Sequence, residues 1–78
     1  MTNKSNTVSE AIGYEMRTMR LIERKTLQQV ADALNVTKNT ISLWELGKTK
    51  ITCEDLVRYC DVVGCDWAEL LNRVKDKM

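Results

Sequence analysis

The stretch that most constrains the fold of this chain runs from residue 26 to residue 47 and reads TLQQVADALNVTKNTISLWELG. It predicts two short amphipathic helices around a tight turn at Asn35-Val36, because asparagine tolerates the left-handed conformation that ends a helix. The first helix has apolar residues at positions 27, 30, 31 and 34, which share one face at helical spacing. Thr37 can cap the second helix, predicted over residues 38–46, and Gly47 can end it.

The rest of the chain predicts supporting helices on both sides of this stretch. Its 78 residues include no proline and only three glycines, which favours helices joined by short loops over strands and tight turns. Ser9 is the expected N-cap of a first helix that reaches about Arg24, while residues 1–8 are polar and expected to be flexible. Thr52 and Asp66 are the expected caps of a fourth and a fifth helix.

The whole pattern predicts a single all-α domain of five helices over residues 9–75, since a chain of this length forms one core. Gly13 lies inside the first helix, where it predicts a close crossing with another helix. Leu21 and Ile22 are expected to be at least partly covered, and the tail from Asn72 onward is expected to fray. The apolar sides of the last two helices are Leu56, Val57, Tyr59, Cys60 and Val63, and then Trp67, Leu70, Leu71 and Val74.

The charge of the chain is weakly polarised. Residues 1–50 carry eight basic and five acidic side chains, and residues 51–78 carry four basic and six acidic ones, within a formal net charge of only +1. The positive end coincides with the central stretch, which suits a nucleic-acid partner, although two ordinary solvated surfaces would give the same counts.

Several functions are excluded by residue types that the chain lacks. It has no histidine, no glycine-rich phosphate loop and no Cys-x-x-Cys pair among its three cysteines, so we expect no metal site, no cofactor and no enzymatic activity. No signal-type segment opens the chain and no run approaches about 20 apolar residues, so no membrane partner is expected. The cysteines are expected to be small buried hydrophobes in a reduced, cytoplasmic protein. No small-molecule ligand is evident.

Residues 16–71 hold a set of side chains at a spacing known from one protein family. They are Arg20, Leu27-x-x-Val30-Ala31, Val36-Thr37, Ile41-Ser42 and Trp44-Glu45-x-Gly47, followed by the Leu56 to Leu71 run of the last two helices. In this pattern the chain resembles the helix-turn-helix domain of the Cro and phage-repressor (XRE) family of bacterial and phage transcription regulators. The resemblance implies a five-helix, lambda-repressor-like fold. It also implies sequence-specific binding to a double-stranded DNA operator, usually palindromic, by a homodimer.

The resemblance further implies which residues meet the DNA. The second motif helix, residues 38–46, would be the recognition helix in the major groove, and the first would cross the backbone. The base-contacting positions would be Lys38, Asn39 and Leu43, with Thr37, Thr40 and Ser42 nearby. The phosphate-contacting positions would be Thr26, Gln28, Lys48 and Lys50. A partly buried pair that orients the recognition helix would be Arg20 and Glu45.

The chemistry of three of these side chains agrees with base reading. Lys38 can donate to guanine O6 and N7, and Asn39 can form a bidentate pair with adenine N6 and N7. Leu43 offers only an apolar surface, which suits a thymine methyl group. The helix N-terminus that carries the first two residues also presents free N–H groups, which favour a phosphate.

The chain departs from the family pattern at three places. Leu27 replaces a glutamine that often braces a phosphate, so backbone anchoring would depend more on neighbouring polar groups and the lysine loop. Arg24-Lys25 replaces a Gly-Leu pair, so that Leu21 or Ile22 would supply the missing apolar group. Cys53 stands where proline commonly begins the fourth helix.

Two readings of function remain open within this resemblance. The first is a small regulator, a repressor or switch protein, whose candidate dimer interface is residues 67–78. The alternative is an adaptor or antitoxin that uses the same fold on a protein surface, which the nearly neutral net charge keeps open. Salt dependence separates the two, because binding that neutralises several phosphates weakens steeply with salt.

Overall fold

A computed structural model describes residues 7–78, and within these residues the chain forms five α-helices and no strand. The helices are α1 (Val8–Ile22), α2 (Leu27–Leu34), α3 (Lys38–Leu46), α4 (Cys53–Val63) and α5 (Trp67–Lys77). The predicted all-α class and number of helices are therefore confirmed, and α2 and α3 have the bounds predicted for the central stretch. α3 packs on both α1 and α2, whereas α5 packs on α1 and α4.

The first helix starts earlier than predicted. α1 begins at Val8, and its N-cap is Thr7 rather than Ser9. The Thr7 hydroxyl accepts the Glu10 N–H at 3.1 Å, and the Glu10 carboxylate accepts the Thr7 N–H at 2.8 Å. Ser9 cannot form this reciprocal capping box, because the residue three positions on is an isoleucine. Residues 7 and 8, which were expected to be flexible, thus belong to the folded domain. The rest of that segment, residues 1–6, lies outside the described residues.

The three middle helices have local start and stop signals. Each begins after a threonine whose hydroxyl accepts a backbone N–H from three residues on, and these caps are Thr26, Thr37 and Thr52. Each ends at a residue with positive φ, and these residues are Asn35 (59°), Gly47 (73°) and Gly64 (96°). α1 ends at Ile22, short of the predicted position, because Arg24 itself adopts the left-handed conformation (φ 59°). That conformation is incompatible with a continuing right-handed helix.

The hydrophobic core lies where the five helices meet, and it includes the motif residues predicted for it. The buried motif residues are Val30, Ala31, Leu34, Ile41 and Trp44. Leu21 and Ile22, however, are 51% and 60% exposed, so their cover is only partial and the prediction that one of them supplies the missing core group is wrong. Met16, Met19 and Arg20 face the core. The next two residues follow Arg20 at about 100° and 200° around the helix axis, so their side chains point away from the core. Val57 and Trp67, both assigned to apolar sides, are also more than two-fifths exposed.

The C-terminal helix extends further than predicted. The expected fraying from Asn72 is not found, since α5 continues to Lys77. Val74 is buried in the last turns, and the Lys77 ammonium lies 2.8 Å from Oε2 of Glu15, a side chain of α1 that is almost fully buried. The same ammonium lies 4.4 Å from the centre of the Tyr14 ring. The Glu15 carboxylate raises the pKa of Lys77, and the pair joins the end of α5 to α1.

The cysteines occupy different environments. Cys60 is buried, as expected, and burial raises the pKa of its thiol to about 12. Cys53 is exposed at the start of α4, so the expectation of burial is wrong there. Across residues 7–78, no group of three or more His, Cys, Asp or Glu side chains is arranged to hold a metal ion. Among the same residues, no helix combines the length and the apolar character that a membrane crossing requires.

Candidate nucleic-acid interface

α2 and α3 form a helix-turn-helix whose turn is fixed by backbone hydrogen bonds. Asn35 ends α2 at φ 59° and ψ 43°. The Val36 N–H donates to the Ala31 carbonyl at 3.0 Å, which closes the turn against the last turn of α2. Ala31 and Ile41, one from each helix, are both fully buried, and a small side chain at the first of them allows a close approach. The turn and the core beneath it thus limit the range of angles between the two helices.

The N-terminal half of α3 presents polar side chains to solvent. Lys38 and Asn39 are exposed, and within residues 7–78 neither side chain has a hydrogen-bonding partner. Ser42 and Leu43, one turn further on, are half-buried. The amine and amide groups at the start of α3 are therefore available to an external partner.

Two other candidate base-contacting residues, Thr37 and Thr40, form hydrogen bonds that cap the N-terminus of α3. The Thr37 hydroxyl accepts the Thr40 N–H at 3.1 Å, and its oxygen lies 2.9 Å from the Thr40 hydroxyl oxygen. These bonds satisfy a backbone donor that has no partner inside the helix. Within the protein, both side chains therefore hold the first turn of α3 in shape.

The two candidate phosphate contacts at the start of α2 are also hydrogen-bonded within the protein. Thr26 forms a capping box with Gln29, whose amide oxygen accepts the Thr26 N–H at 2.8 Å. The Gln28 amide donates to the Asp32 carboxylate at 2.8 Å, so it would exchange that partner to reach a phosphate. The first-turn N–H groups of Leu27 and Gln28 have no intrahelical acceptor, because a helix leaves its first donors unpaired. Such groups attract anions.

The remaining candidate phosphate contacts lie beyond the C-terminal end of α3. Lys48 and Lys50 are exposed in the loop between α3 and α4. The Lys48 N–H donates to the Leu43 carbonyl at 3.0 Å, so the backbone of this loop continues directly from the helix end. The ammonium groups of the two lysines are exposed to solvent.

A buried polar network joins the C-terminal end of α3 to α1. Arg20 and Glu45 form a bidentate pair, with Nε 2.7 Å from Oε2 and Nη2 3.0 Å from Oε1. The third guanidinium nitrogen, Nη1, donates to the Lys25 carbonyl at 2.9 Å. Hydrogen bonding and charge from Glu45 outweigh burial and raise the pKa of Arg20, so the guanidinium keeps its charge. The two residues that the resemblance implies as a pair are thus in contact, and the guanidinium is used inside the protein.

Tyr59 of α4 is a third member of this network that the sequence pattern did not reveal. Its hydroxyl lies 2.7 Å from Oε2 of Glu45 and 2.9 Å from the Met16 carbonyl oxygen. Burial, and then the hydrogen bond to the carboxylate, raise its pKa far above the usual value. The sequence placed Tyr59 only on an apolar helix face. The available signal was chemical, since a buried tyrosine needs a partner for its hydroxyl, but nothing in the sequence named that partner.

Glycine allows α3 to approach α1 closely. A Cβ atom at Gly13 would overlap the carbonyl oxygens of Trp44 and Glu45, so only glycine leaves room for this crossing. The close crossing predicted from Gly13 is therefore confirmed. Gly47, just beyond α3, would likewise bring a Cβ atom onto the backbone of Glu10. Both contacts involve the C-terminal end of α3, the end that carries the buried ion pair.

Comparison with known proteins gives one family and several structural relatives. The family model described as helix-turn-helix (HTH_3) matches residues 16–70. The clp gene regulator ClgR from Corynebacterium glutamicum is similar in one crystal structure with a TM-score of 0.89 and 27% identity over 95% of this chain and 96% of that chain. A second ClgR structure gives a TM-score of 0.88 and 26% identity over 95% and 79% of the two chains.

A more distant relative shares the fold alone. It is the restriction-modification controller protein C.AhdI from Aeromonas hydrophila, with a TM-score of 0.72 and 13% identity over 78% of this chain and 92% of that chain. Among curated proteins, none matches the chain significantly.

The fold and the family match define a DNA-binding transcription regulator of the helix-turn-helix class. The chain belongs to the helix-turn-helix family HTH_3, the XRE-type regulators, whose model covers more than half of its length. The resemblance read from the sequence is therefore confirmed.

Proposed function

We propose that this protein binds double-stranded DNA sequence-specifically and regulates transcription in a bacterium or phage, with α3 lying in the major groove. The observation that carries the proposal is the contrast in α3 between a free, polar N-terminal half and a tightly held C-terminal half. In helix-turn-helix proteins the residues at the start of the second helix reach base edges. A rigidly mounted helix with an exposed amine and amide at that place suits this role.

Base reading is assigned to the exposed start of α3. Lys38 would donate to guanine O6 and N7, and Asn39 would pair with adenine N6 and N7. Leu43 would contact a thymine methyl group with the half of its surface that is exposed. The nearby positions are Thr37, Thr40 and Ser42, of which the first two act through the backbone geometry that they cap.

Backbone anchoring is assigned to two separate places. Thr26 and Gln28 would meet a phosphate through the N-terminus of α2, where free N–H groups and the helix dipole favour an anion. Lys48 and Lys50 would neutralise phosphates from the loop after α3. Such contacts set the register on the duplex and carry little sequence information.

We further propose that the protein acts as a homodimer on a palindromic operator and represses transcription by occupying it. A single recognition helix reads only a few base pairs, which gives too little specificity alone. Residues 67–78, which comprise α5 and the residue after it, are the proposed dimer interface, since Trp67 at the start of α5 is 47% exposed. The similar ClgR is named as a gene regulator, which supports the regulatory role. Such a protein would work in the cytoplasm.

The competing proposal is a protein-binding adaptor or antitoxin with the same fold. The formal net charge of +1 favours it, because a strong nucleic-acid binder usually carries a larger positive charge. Lysine-mediated phosphate binding would show a steep loss of affinity with salt, whereas a protein partner would not require it.

Selection of bound sites from random duplex DNA tests the proposal. We expect enrichment of a palindrome whose half-sites are centred about one helical turn, roughly 34–36 Å, apart. The selected site should lose affinity steeply between low and physiological salt. A pool without any enriched sequence at low salt would reject DNA recognition and leave the adaptor. Enrichment of a single, non-repeated half-site would reject the dimer and keep DNA binding.

A further inference from the structure

The hydroxyl group of Tyr59 ends among the polar atoms that hold α3. The side chain is fully buried, and its oxygen lies 2.7 Å from Oε2 of Glu45 and 2.9 Å from the Met16 carbonyl oxygen. A phenol has one hydrogen, and a charged acceptor forms the stronger bond. The Met16 carbonyl already accepts the N–H four residues on within α1. The Tyr59 hydroxyl therefore donates its hydrogen bond to the Glu45 carboxylate.

Glu45 is the point at which three helices meet. It lies in the last turn of α3, while Arg20 reaches it from α1 and Tyr59 reaches it from α4. The bidentate guanidinium fixes the plane of the carboxylate relative to α1. That contact alone would still allow α3 to tilt about it, and a hydrogen bond from a second helix removes this freedom.

We infer that Tyr59 is a positioning residue for DNA recognition, whose hydroxyl, acting through Glu45, sets the angle at which α3 offers Lys38 and Asn39 to base edges. This inference rests on the proposed function of α3. It assigns to α4, a helix outside the helix-turn-helix, a direct part in specificity. Tyr59 itself would touch no nucleotide, because its side chain is fully buried.

The length of α3 makes a small tilt important. Asn39 lies six residues before Glu45, which is about 9 Å along the axis at 1.5 Å per residue. A tilt of about 6° at Glu45 therefore moves Asn39 by about 1 Å. A bidentate base contact does not survive such a shift, because hydrogen bonds span only a few tenths of an ångström around their optimal distance. Phosphate contacts through long, flexible lysines would survive it.

The competing view is that Tyr59 is a core aromatic whose hydroxyl is merely satisfied. The two views differ in what the loss of the hydroxyl does. A residue that only stabilises the core changes the melting temperature and leaves the ratio of affinities for right and wrong sites unchanged. A positioning residue also lowers that ratio in protein that is fully folded.

The test is the variant Tyr59→Phe, which removes only the hydroxyl and keeps the ring in the core. Affinities are measured for the best selected site and for a site with one base pair changed under Asn39, well below the lowest melting temperature. The matched control is Val63→Ala, which removes buried apolar volume from the same helix and leaves both hydrogen-bond partners of the Glu45 carboxylate in place. We expect the affinity ratio to fall about fivefold or more in Tyr59→Phe. In Val63→Ala the ratio should be unchanged although the melting temperature falls.

Retention of the wild-type ratio in Tyr59→Phe would overturn the inference. A failure of the proposed function is recognised separately, because the wild-type protein would then prefer no site. In that case the backbone amide chemical shifts of α3 decide. Shift changes that extend to residues 38–40 in Tyr59→Phe, and are absent in Val63→Ala, would support a change in helix angle. Unchanged shifts at those residues would reject it.

Discussion

The two halves of α3 have opposite surroundings. At the N-terminal half, Lys38 and Asn39 are exposed and have no side-chain partner within residues 7–78. At the C-terminal half, Trp44 and Glu45 are buried, and their carbonyl oxygens lie against Gly13 of α1. Nine residues thus include a free surface and one of the most constrained contacts of the molecule.

This difference shows how a small domain can hold a reading surface rigid without covering it. The polar side chains that would meet the bases gain nothing from the core, so their placement depends on the other end of the helix. That end is held by a charge-assisted network and a close backbone contact, both of which are sensitive to small changes in geometry. Changes at the C-terminal half should therefore act first on stability, and changes at Lys38 and Asn39 on binding alone.

The largest expected effect comes from Glu45→Ala. It leaves the Arg20 guanidinium buried without its carboxylate and the Tyr59 hydroxyl without its charged acceptor. Breaking a buried pair by removing one partner costs about 3–5 kcal/mol. Urea unfolding followed by circular dichroism measures this loss. The matched control is Asp61→Ala, which removes an exposed carboxylate from α4 and should change stability by less than about 0.5 kcal/mol.

A Glu45→Ala protein as stable as the control would contradict the constrained half of the comparison. The variant Arg20→Lys sharpens the test, because it keeps the charge and loses the bidentate geometry. We expect it to lie between the wild type and Glu45→Ala in free energy of unfolding.

The next effect, Gly13→Ala, has a diagnostic sign. Helix propensity alone predicts a gain of up to about 1 kcal/mol when alanine replaces glycine inside a helix. The new Cβ atom would instead overlap backbone oxygens of α3, which cannot rotate away, so we expect a loss of about 1–3 kcal/mol. Thermal unfolding measures the difference, with the exposed Arg17→Ala on the same helix as control. A stabilised Gly13→Ala would mean that α1 and α3 are not in close contact.

The helix caps and the buried ion pair show how much of the structure the sequence could predict. The central helices and their caps were predictable because Thr26, Thr37, Asn35 and Gly47 start or end a helix through the bonds and backbone angles of nearby residues. The Arg20–Glu45 pair, 25 residues apart, was available only through the family resemblance. No local pattern indicates contacts at such separations.

Tyr59 illustrates what was not predictable. Its contact with Met16 spans 43 residues, and its apolar neighbours in α4 made a plain core role the natural interpretation. The predicted start of α1 was wrong for a different reason: Ser9 is a residue type that caps helices, but Thr7 is the residue with an acid three positions on that completes a reciprocal capping box. The exposure of Leu21 depends on how α1 is rotated against the core, which its own spacing does not determine.

At the free half of α3, Lys38→Ala and Asn39→Ala should act on binding without unfolding the protein. Each should relax the base preference at one position of the half-site, at about 1–3 kcal/mol for the preferred base. The melting temperature should not change, because both side chains are exposed. Competition binding against a set of single-base variants of the selected site measures the preference. An equal loss for every variant would assign these side chains to the phosphate backbone instead.

The smallest expected effect concerns the lysines beyond the held end of α3. Lys48→Ala or Lys50→Ala should weaken binding to all sequences alike and lower the slope of log affinity against log salt by about 1, since one phosphate contact is lost. Arg17→Ala is the matched control, because it removes one positive charge from an exposed position of α1 that is assigned to neither the DNA contacts nor the dimer interface. If the loop lysines and Arg17 lower the slope equally, the effect is one of overall charge, and the loop makes no particular contact with the phosphates. A slope change confined to Lys48 and Lys50 would place the phosphates next to the constrained C-terminal end of α3. The protein and the DNA backbone would then both hold that end of the helix, while its exposed N-terminal end contacts the bases.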